Sequence, residues 1–394
     1  MIPFAEAQAA VARAARPLDA EPVLPARALG RVLAEDLRAR EDLPAFDNSA
    51  MDGYAVRSAD LSGAGPGSPA VLRVLGRVAA GGLAEEKVRR GTAVPIMTGA
   101  PLPPGADTVV MNECARRVNG EVRVFVEACP GTHVRHAGED VKRGAPLLSA
   151  GAALRAYEVA LLCAQGFPFV RVVRRPRAAV LPTGSELGTS LRDSNGPALS
   201  GLLGRWGARV RALPAARDDA AALSRALKKA LSGTDLLVVT GGVSAGDFDL
   251  TRPALESLGF STLFHGVAIK PGKPLLFGAR GRTLVFGLPG NPVAALLCAE
   301  EFVRPALEGL QGRRGGPPSY HMRGVLAEPY PGTKGRRHYV FCSCRREEGR
   351  FLLTPIRPQG AAMLGMACRA QALAVSPEGE SLEAGRELEF RWLK

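Results

Sequence analysis

The residues of this chain best equipped for chemistry stand where apolar runs stop. Residues 235–249 read DLLVVTGGVSAGDFD, and the run Leu236, Leu237, Val238, Val239 has the character of a strand buried on both faces. Thr240 closes the run and Gly241 and Gly242 follow. Lacking Cβ atoms, these glycines permit a sharp turn and let a ligand reach the peptide N–H groups. Ser244, Asp247 and Asp249 complete the loop. Bare amides and a hydroxyl suit an anion, and two carboxylates suit a cation, so the loop matches a phosphate-plus-magnesium ligand. The plainer reading is a glycine turn with solvated aspartates.

Other stretches carry related chemistry. In KPGKP (270–274) a rigid turn presents Lys270 and Lys273 like a clamp for phosphate or oxyanion charge. In GLPGNP (287–292) a strand gives way to a helix: Asn291 suits the N-cap and Pro292 the first helical position. The amides that follow are then expected to be free to bind an anion, although simple helix initiation explains the same residues. Residues 42–56 pack acid, amide and hydroxyl groups, Asp52 among them, beside Met51 and Tyr54. The alternative there is a large capped turn. Thr98 lies in a Gly/Pro turn, and Asp140 follows Glu139 in a pair of acids.

These loops need elements to hold them. A strand at 178–181, a helix at 195–206, a strand at 209–213, a helix at 218–231 and the strand at 236–240 alternate, which predicts a parallel doubly wound sheet. Ala-rich residues at the N-terminus read as a short helix, 28–34 as a second helical or turn element, and 152–165 as a helix ended by Gly166. Short β-like runs between 57 and 142, spaced by glycine and proline, predict a small β-rich domain. Residues 311–318, QGRRGGPP, read as a linker. Beyond it, runs near 321–326, 338–344, 351–355, 372–375 and 387–392 predict a compact barrel or sandwich.

Composition narrows the partners. With 394 residues the chain is too long for one hydrophobic core. A formal charge of +13, carried mostly by arginine, favours anionic partners, though bias toward Ala, Arg and Gly explains much of it. Basic residues are not interleaved with aromatics, which argues against nucleic acid. Seven cysteines without a CxxC pair read as reduced thiols. His338 near Cys342-x-Cys344, and His133-x-x-His136, are weak metal candidates, since strand alternation and polar turns explain both. The N-terminus carries Glu6 and has no basic start followed by an apolar core, and no apolar run spans a bilayer. A soluble, cytoplasmic protein is expected.

Taken in order, PAFDNSAMDGYAVR (44–57), IMTGAP (96–101), GED (138–140), PTGSEL (182–187), RDD (217–219), TGGVSAGDFD (240–249), KPGKP and GLPGNP resemble the motifs of the molybdopterin molybdenumtransferases. This is the family of MoeA and the C-terminal domain of gephyrin. The likeness runs from the first helix to about residue 310. It implies a multidomain α/β plus β architecture: a doubly wound, MogA/MoaB-like molybdopterin-binding α/β domain (1–19 and 176–310) and a β-rich second domain (39–144). A helical/extended linking domain that forms a homodimer (20–38 and 145–175) and a C-terminal β-barrel (318–394) complete it.

The implied reaction is molybdenum insertion into adenylylated molybdopterin with release of AMP, the last stage of molybdenum cofactor biosynthesis, with Mg2+. By the same resemblance, Asp218, Asp249 and Glu186 hold the cation or act as acid–base, and Asp247 is a further candidate. Asp140, Gly241, Gly242, Ser244, Lys270, Lys273, Pro289, Gly290 and Asn291 bind substrate. Asp52 and Thr98 close the cleft from the second domain of the other subunit. The chain departs from the family at Phe341, where an arginine is frequent, at Gly360-Ala361, where Gly-Ser is frequent, and at Gly266, where some members have lysine. Competing readings are a non-catalytic cofactor carrier or scaffold, and the molybdopterin adenylyltransferase that makes the substrate. That enzyme and recipient molybdoenzymes are expected partners.

Overall fold

The computed structural model describes residues 1–76, 86–242, 250–313, 319–376 and 380–393. Its central sheet has six strands in the order Arg209–Ala212, Arg177–Pro182, Leu236–Thr240, Thr283–Leu288, Leu276–Arg280 and Ser261–His265. The first four are parallel, as the alternation of strand and helix requires. The last two are antiparallel additions. A turn of only Gly281 and Arg282 joins Leu276–Arg280 to Thr283–Leu288, and so short a connection permits only a hairpin.

Alternation along the strands divides the core. Ala178, Val180, Leu236 and Val238 face Leu199 and Leu203 of the helix Asn195–Arg205 and Val11 of the helix Phe4–Ala14. Ala179, Leu181, Leu237 and Val239 face Leu223 and Leu227 of the helix Ala220–Leu231 on the other side. A strand buried on both faces therefore reads as an unbroken apolar run.

Beyond the linker, Met322–Leu326, Arg350–Pro355, Arg337–Glu347, Ala372–Ser376 and Glu387–Trp392 close into a five-stranded barrel. Val340, Cys342, Leu353 and Phe390 fill it. Tyr339, Phe341, Leu373 and Val375 point outward and join the same apolar cluster as Phe302 and Leu297 of the α/β unit. The two-residue strand Ile269–Lys270 runs parallel to Arg337 and His338, so backbone pairing also crosses this seam.

The β-rich region forms a second six-stranded sheet, ordered Thr108–Met111, Gly53–Val56, Thr92–Ile96, Ala70–Val74, Glu121–Val124 and Ala115–Val118. Ala20–Val23 pairs with Val170–Val173, and the helix Ala156–Ala164 packs beside them. Of the two forms expected for residues 28–34, helix or turn, the structure takes the turn, at Leu29 and Gly30. A 3-10 turn at Pro25–Arg27 precedes them, and Val32 and Leu33 make β-bridges to Ala153 and Val172. The helix expected at 152–165 starts later for the same reason, because the backbone of Ala152 and Ala153 is used in that pairing. Among the described residues no helix is long and apolar enough to cross a membrane.

Candidate active site

The strands Arg177–Pro182 and Leu236–Thr240 are neighbours whose connections leave in opposite directions along the sheet, and their carboxyl ends open a crevice where ligands of such folds bind. Thr183 donates its N–H to Thr240 O (2.8 Å), and Gly241 donates to Leu288 O (3.1 Å). Gly241 has φ 88°, and a Cβ there would lie 2.5 Å from Thr183 O, so only glycine fits this crossing. A Cβ at Gly290 would lie 3.7 Å from the Cα of Gly241. The two glycine loops thus meet, and Asn195 Nδ2 fixes the second by donating to Gly290 O (2.8 Å).

Two carboxylates reach this crevice from the neighbouring loops. Asp218 Oδ2 accepts the N–H of Ser185 (3.0 Å) and the N–H of Asp218 donates to Ser185 Oγ (3.0 Å), a reciprocal pair that ties two loops together. The N-cap of the following helix is Asp219, whose Oδ1 accepts from Ala222 N (2.7 Å), so Asp218 is not consumed in capping. Glu186 folds back over Gly184, where a Cβ would meet Glu186 Oε1 at 2.5 Å. Both carboxylates are exposed. Ser244, Asp247 and Asp249 lie outside the described residues, and among the described ones no group of three His, Cys, Asp or Glu could hold a metal. The weak candidates accordingly form no cluster; His136 Nδ1 instead faces Asp47 Oδ2 at 3.3 Å.

Next to the crevice, a cleft of about 280 Å³ separates the α/β unit from the barrel. Lys270, Lys273, Pro289 and Asn291 line one wall; Tyr330, His338, Tyr339, Phe341, Gln359 and Ala361 line the other. Lys270 Nζ donates to Thr333 Oγ1 (3.2 Å), which lies 3.3 Å from His338 Nδ1. Burial, with the charge of Lys270 second, lowers the His338 pKa to about 4. The imidazole is therefore neutral at neutral pH, and the charge of the cleft is that of its lysines.

The amides after Asn291 are not free, contrary to expectation. Val293 N and Ala294 N both donate to Ala361 O (2.9 and 3.3 Å), so the barrel caps this helix, and Asn291 makes no side-chain cap bond. A carbonyl from a distant turn of the barrel unit fills a place that local sequence leaves open to any acceptor. The sequence reading also missed Tyr330 and Gln359, and weighed His338 only as a weak metal candidate. No local motif marks them, because they reach the cleft only when the barrel docks.

In the β-rich sheet, Asp52 Oδ1 accepts both the N–H of Thr98 (2.7 Å) and its hydroxyl (2.8 Å). The backbone bond, then the hydroxyl, holds the Asp52 carboxyl below its ordinary range. Asp52, Thr98 and Asp140 are exposed. Among the described residues no hydrogen bond or ion pair joins them to the strand-end crevice of the same chain.

Three family models match in succession: the MoeA N-terminal region (domain I and II) over residues 2–166, a probable molybdopterin binding domain over 179–309, and the MoeA C-terminal region (domain IV) over 323–392. A molybdopterin molybdenumtransferase of Nostoc sp. is 34% identical over 91% of this chain and 85% of its own. The chain belongs to the molybdopterin molybdenumtransferase family. The enzyme of the same name from Synechococcus elongatus is 36% identical over 92% of both chains. A crystal structure of a molybdopterin biosynthesis MoeA protein from Pyrococcus horikoshii OT3 covers 100% of each chain with a TM-score of 0.81 at 30% identity.

Phe341 and Ala361, two positions where a departure from the family was expected, both line the lysine cleft and add apolar surface to a wall that also carries His338 and Gln359. Gly266 is explained locally. It has φ 89°, a backbone conformation that a lysine adopts only under strain, whereas a Cβ there would meet its neighbours at ordinary contact distance.

Proposed function

We propose that this enzyme inserts molybdenum from molybdate into adenylylated molybdopterin and releases AMP. The observation that carries the reading is the segment Pro289–Gly290–Asn291. Its glycine meets Gly241 at the acidic crevice, while its proline and asparagine line the lysine cleft. A phosphoanhydride in the crevice and an oxyanion held by Lys270 and Lys273 would then be neighbours. With the Gly241 N–H taken by Leu288, the half-buried Gly242 peptide would admit the phosphates, and the lysines would balance oxyanion charge.

Glu186 and Asp218 fit a magnesium ion, which is content with one or two carboxylates plus water and substrate phosphate; Asp249 is a sequence candidate for the same role. Bound there, the ion would neutralise charge on the phosphate oxygens. Glu186, held by backbone bonds at the mouth of the crevice, is also suited to move a proton to or from the cleaved phosphate.

Asp52, Thr98 and Asp140 act on the site of a second copy in a homodimer. The exposed Leu24, Phe169 and Tyr157 of the linking region (54, 57 and 81% exposed) support such a contact. A soluble cytoplasmic setting and hand-over from the adenylyltransferase to molybdoenzymes belong to the same reading.

The purified protein is incubated with adenylylated molybdopterin, magnesium and molybdate, and AMP and active cofactor are followed. Release of both, dependent on molybdate, is expected; binding without AMP would leave only a carrier. Mixing Asp52→Ala with Asp218→Ala subunits tests the shared site. Half the dimers would be mixed, each with one intact site of two, so about a quarter of wild-type activity returns if the subunits share sites. If each site is built from one chain, none returns.

A further inference from the structure

Glu301 is fully buried, and the mechanism above does not use it. It lies on the π-helical turn Ala299–Val303, between the helices Pro292–Cys298 and Arg304–Leu310. Turns of this kind interrupt a helix at a cost and recur at functional sites. Each carboxylate oxygen accepts one phenol: Tyr320 O–H on Oε1 (2.6 Å) and Tyr339 O–H on Oε2 (3.1 Å). Tyr320 Oη also accepts from Arg391 Nε (3.3 Å), and Arg391 pairs with Glu300. The guanidinium of Arg337 lies 4.7 Å from the Phe4 ring and 5.8 Å from the rings of Tyr320 and Tyr339.

The network therefore spans the first helix, the α/β unit and two barrel strands. Stability alone does not ask for a carboxylate in this place. Burial raises the Glu301 pKa, which marks the cost of the charge, and well-packed apolar side chains commonly replace such groups without loss. What a carboxylate supplies and a leucine cannot is direction, since it fixes two hydroxyls at set points. One of those belongs to Tyr339, which lines the cleft and is flanked by His338, the strand partner of Lys270.

We propose that Glu301 is a positioning residue: through the Tyr339 phenol it fixes the barrel wall of the lysine cleft against the wall that carries Lys270 and Lys273. Its functional consequence rests on the reading of the cleft as the molybdate site.

The test uses Tyr339→Phe and Glu301→Gln in the full-length protein, with Tyr320→Phe as the control. The control loses its bond to the same carboxylate, and the one it accepts from Arg391 as well, but from a residue outside the cleft, so it is the more severe local change. Hydrogen exchange of the Arg337 amide, which donates to Ala268 O (2.8 Å) across the seam, reports wall position without any ligand. Exchange about tenfold faster is expected in Tyr339→Phe and Glu301→Gln, and within about twofold of wild type in Tyr320→Phe. Calorimetric titration with molybdate alone should show binding weaker by about tenfold in the first two variants, and steady-state kinetics should show a raised KM with kcat little changed.

Unchanged exchange in Tyr339→Phe and Glu301→Gln overturns the proposal. So does an equal effect of Tyr320→Phe, which would mean general loosening. If the wild type binds no molybdate, the reading of the cleft fails, and the exchange data still decide the role of Glu301.

Discussion

The strand-end crevice and the lysine cleft share the segment 289–291 but are built by opposite means. The crevice is made of backbone: glycines whose Cβ atoms would collide, a loop-to-loop pair between Ser185 and Asp218, and carboxylates left in solvent. The cleft is made of side chains from two folding units, and its far wall sets a desolvated neutral histidine among aromatic and apolar side chains. Exposed carboxylates beside open amides can exchange water for a cation and phosphates at little cost. A half-enclosed cleft strengthens the field of its few charges and excludes competing water. Under the proposed function, the first region suits phosphate chemistry and the second oxyanion capture.

If that division is right, damage to the two regions should differ in kind. The largest effect is expected from Asp218→Ala, and from Asp52→Ala in the facing domain, each lowering AMP release by about 10²–10³-fold with an unchanged circular dichroism spectrum. Full activity in either well-folded variant removes that residue from the mechanism. Lys273→Ala should weaken capture instead: KM for molybdate rises about tenfold or more, while kcat falls less. Equal losses in both parameters would erase the distinction between cleft and crevice.

Gly241→Ala probes the backbone construction. The strained φ and the 2.5 Å approach to Thr183 O predict a loss of about 1–3 kcal/mol in stability, read by denaturant unfolding. A neutral result would mean that the loop has room to spare. The smallest effect is electrostatic. Thr98→Val removes one of the bonds that lower the Asp52 pKa, so its carboxyl signal should titrate closer to the ordinary 3.8. A lowered folded pKa adds stability above the unfolded value, and that stability is lost as pH falls through the folded one. The variant should therefore lose a little of its margin at every pH above about 3.8, neutral pH included, and match the wild type once the pH falls below the folded value.

Much of this was legible in the chain itself. Leu236 to Val239 announced a strand buried on both faces because such a strand has no polar side to display. Gly241, Lys270, Lys273, Glu186, Asp218 and the 289–291 segment fell at strand ends because local propensity ends strands at glycine and proline. The Asp52–Thr98 pair came from two separate motifs whose meeting needs the pairing of Gly53 with Ile96.

Tertiary structure alone decided the rest. Whether the amides after Asn291 are free depends on Ala361, seventy positions along the chain and in another unit. The neutral state of His338 depends on burial that its neighbours in sequence do not dictate. Residues 28–34, open in sequence to a helix or a turn, became a turn followed by bridges because partners at Ala153 and Val172 satisfied their backbone. Sequence determines what a loop can bind through groups it carries itself. Which of those groups remain unpaired, and what wall stands opposite, is settled only when distant segments compete for the same hydrogen bonds and the same apolar surface.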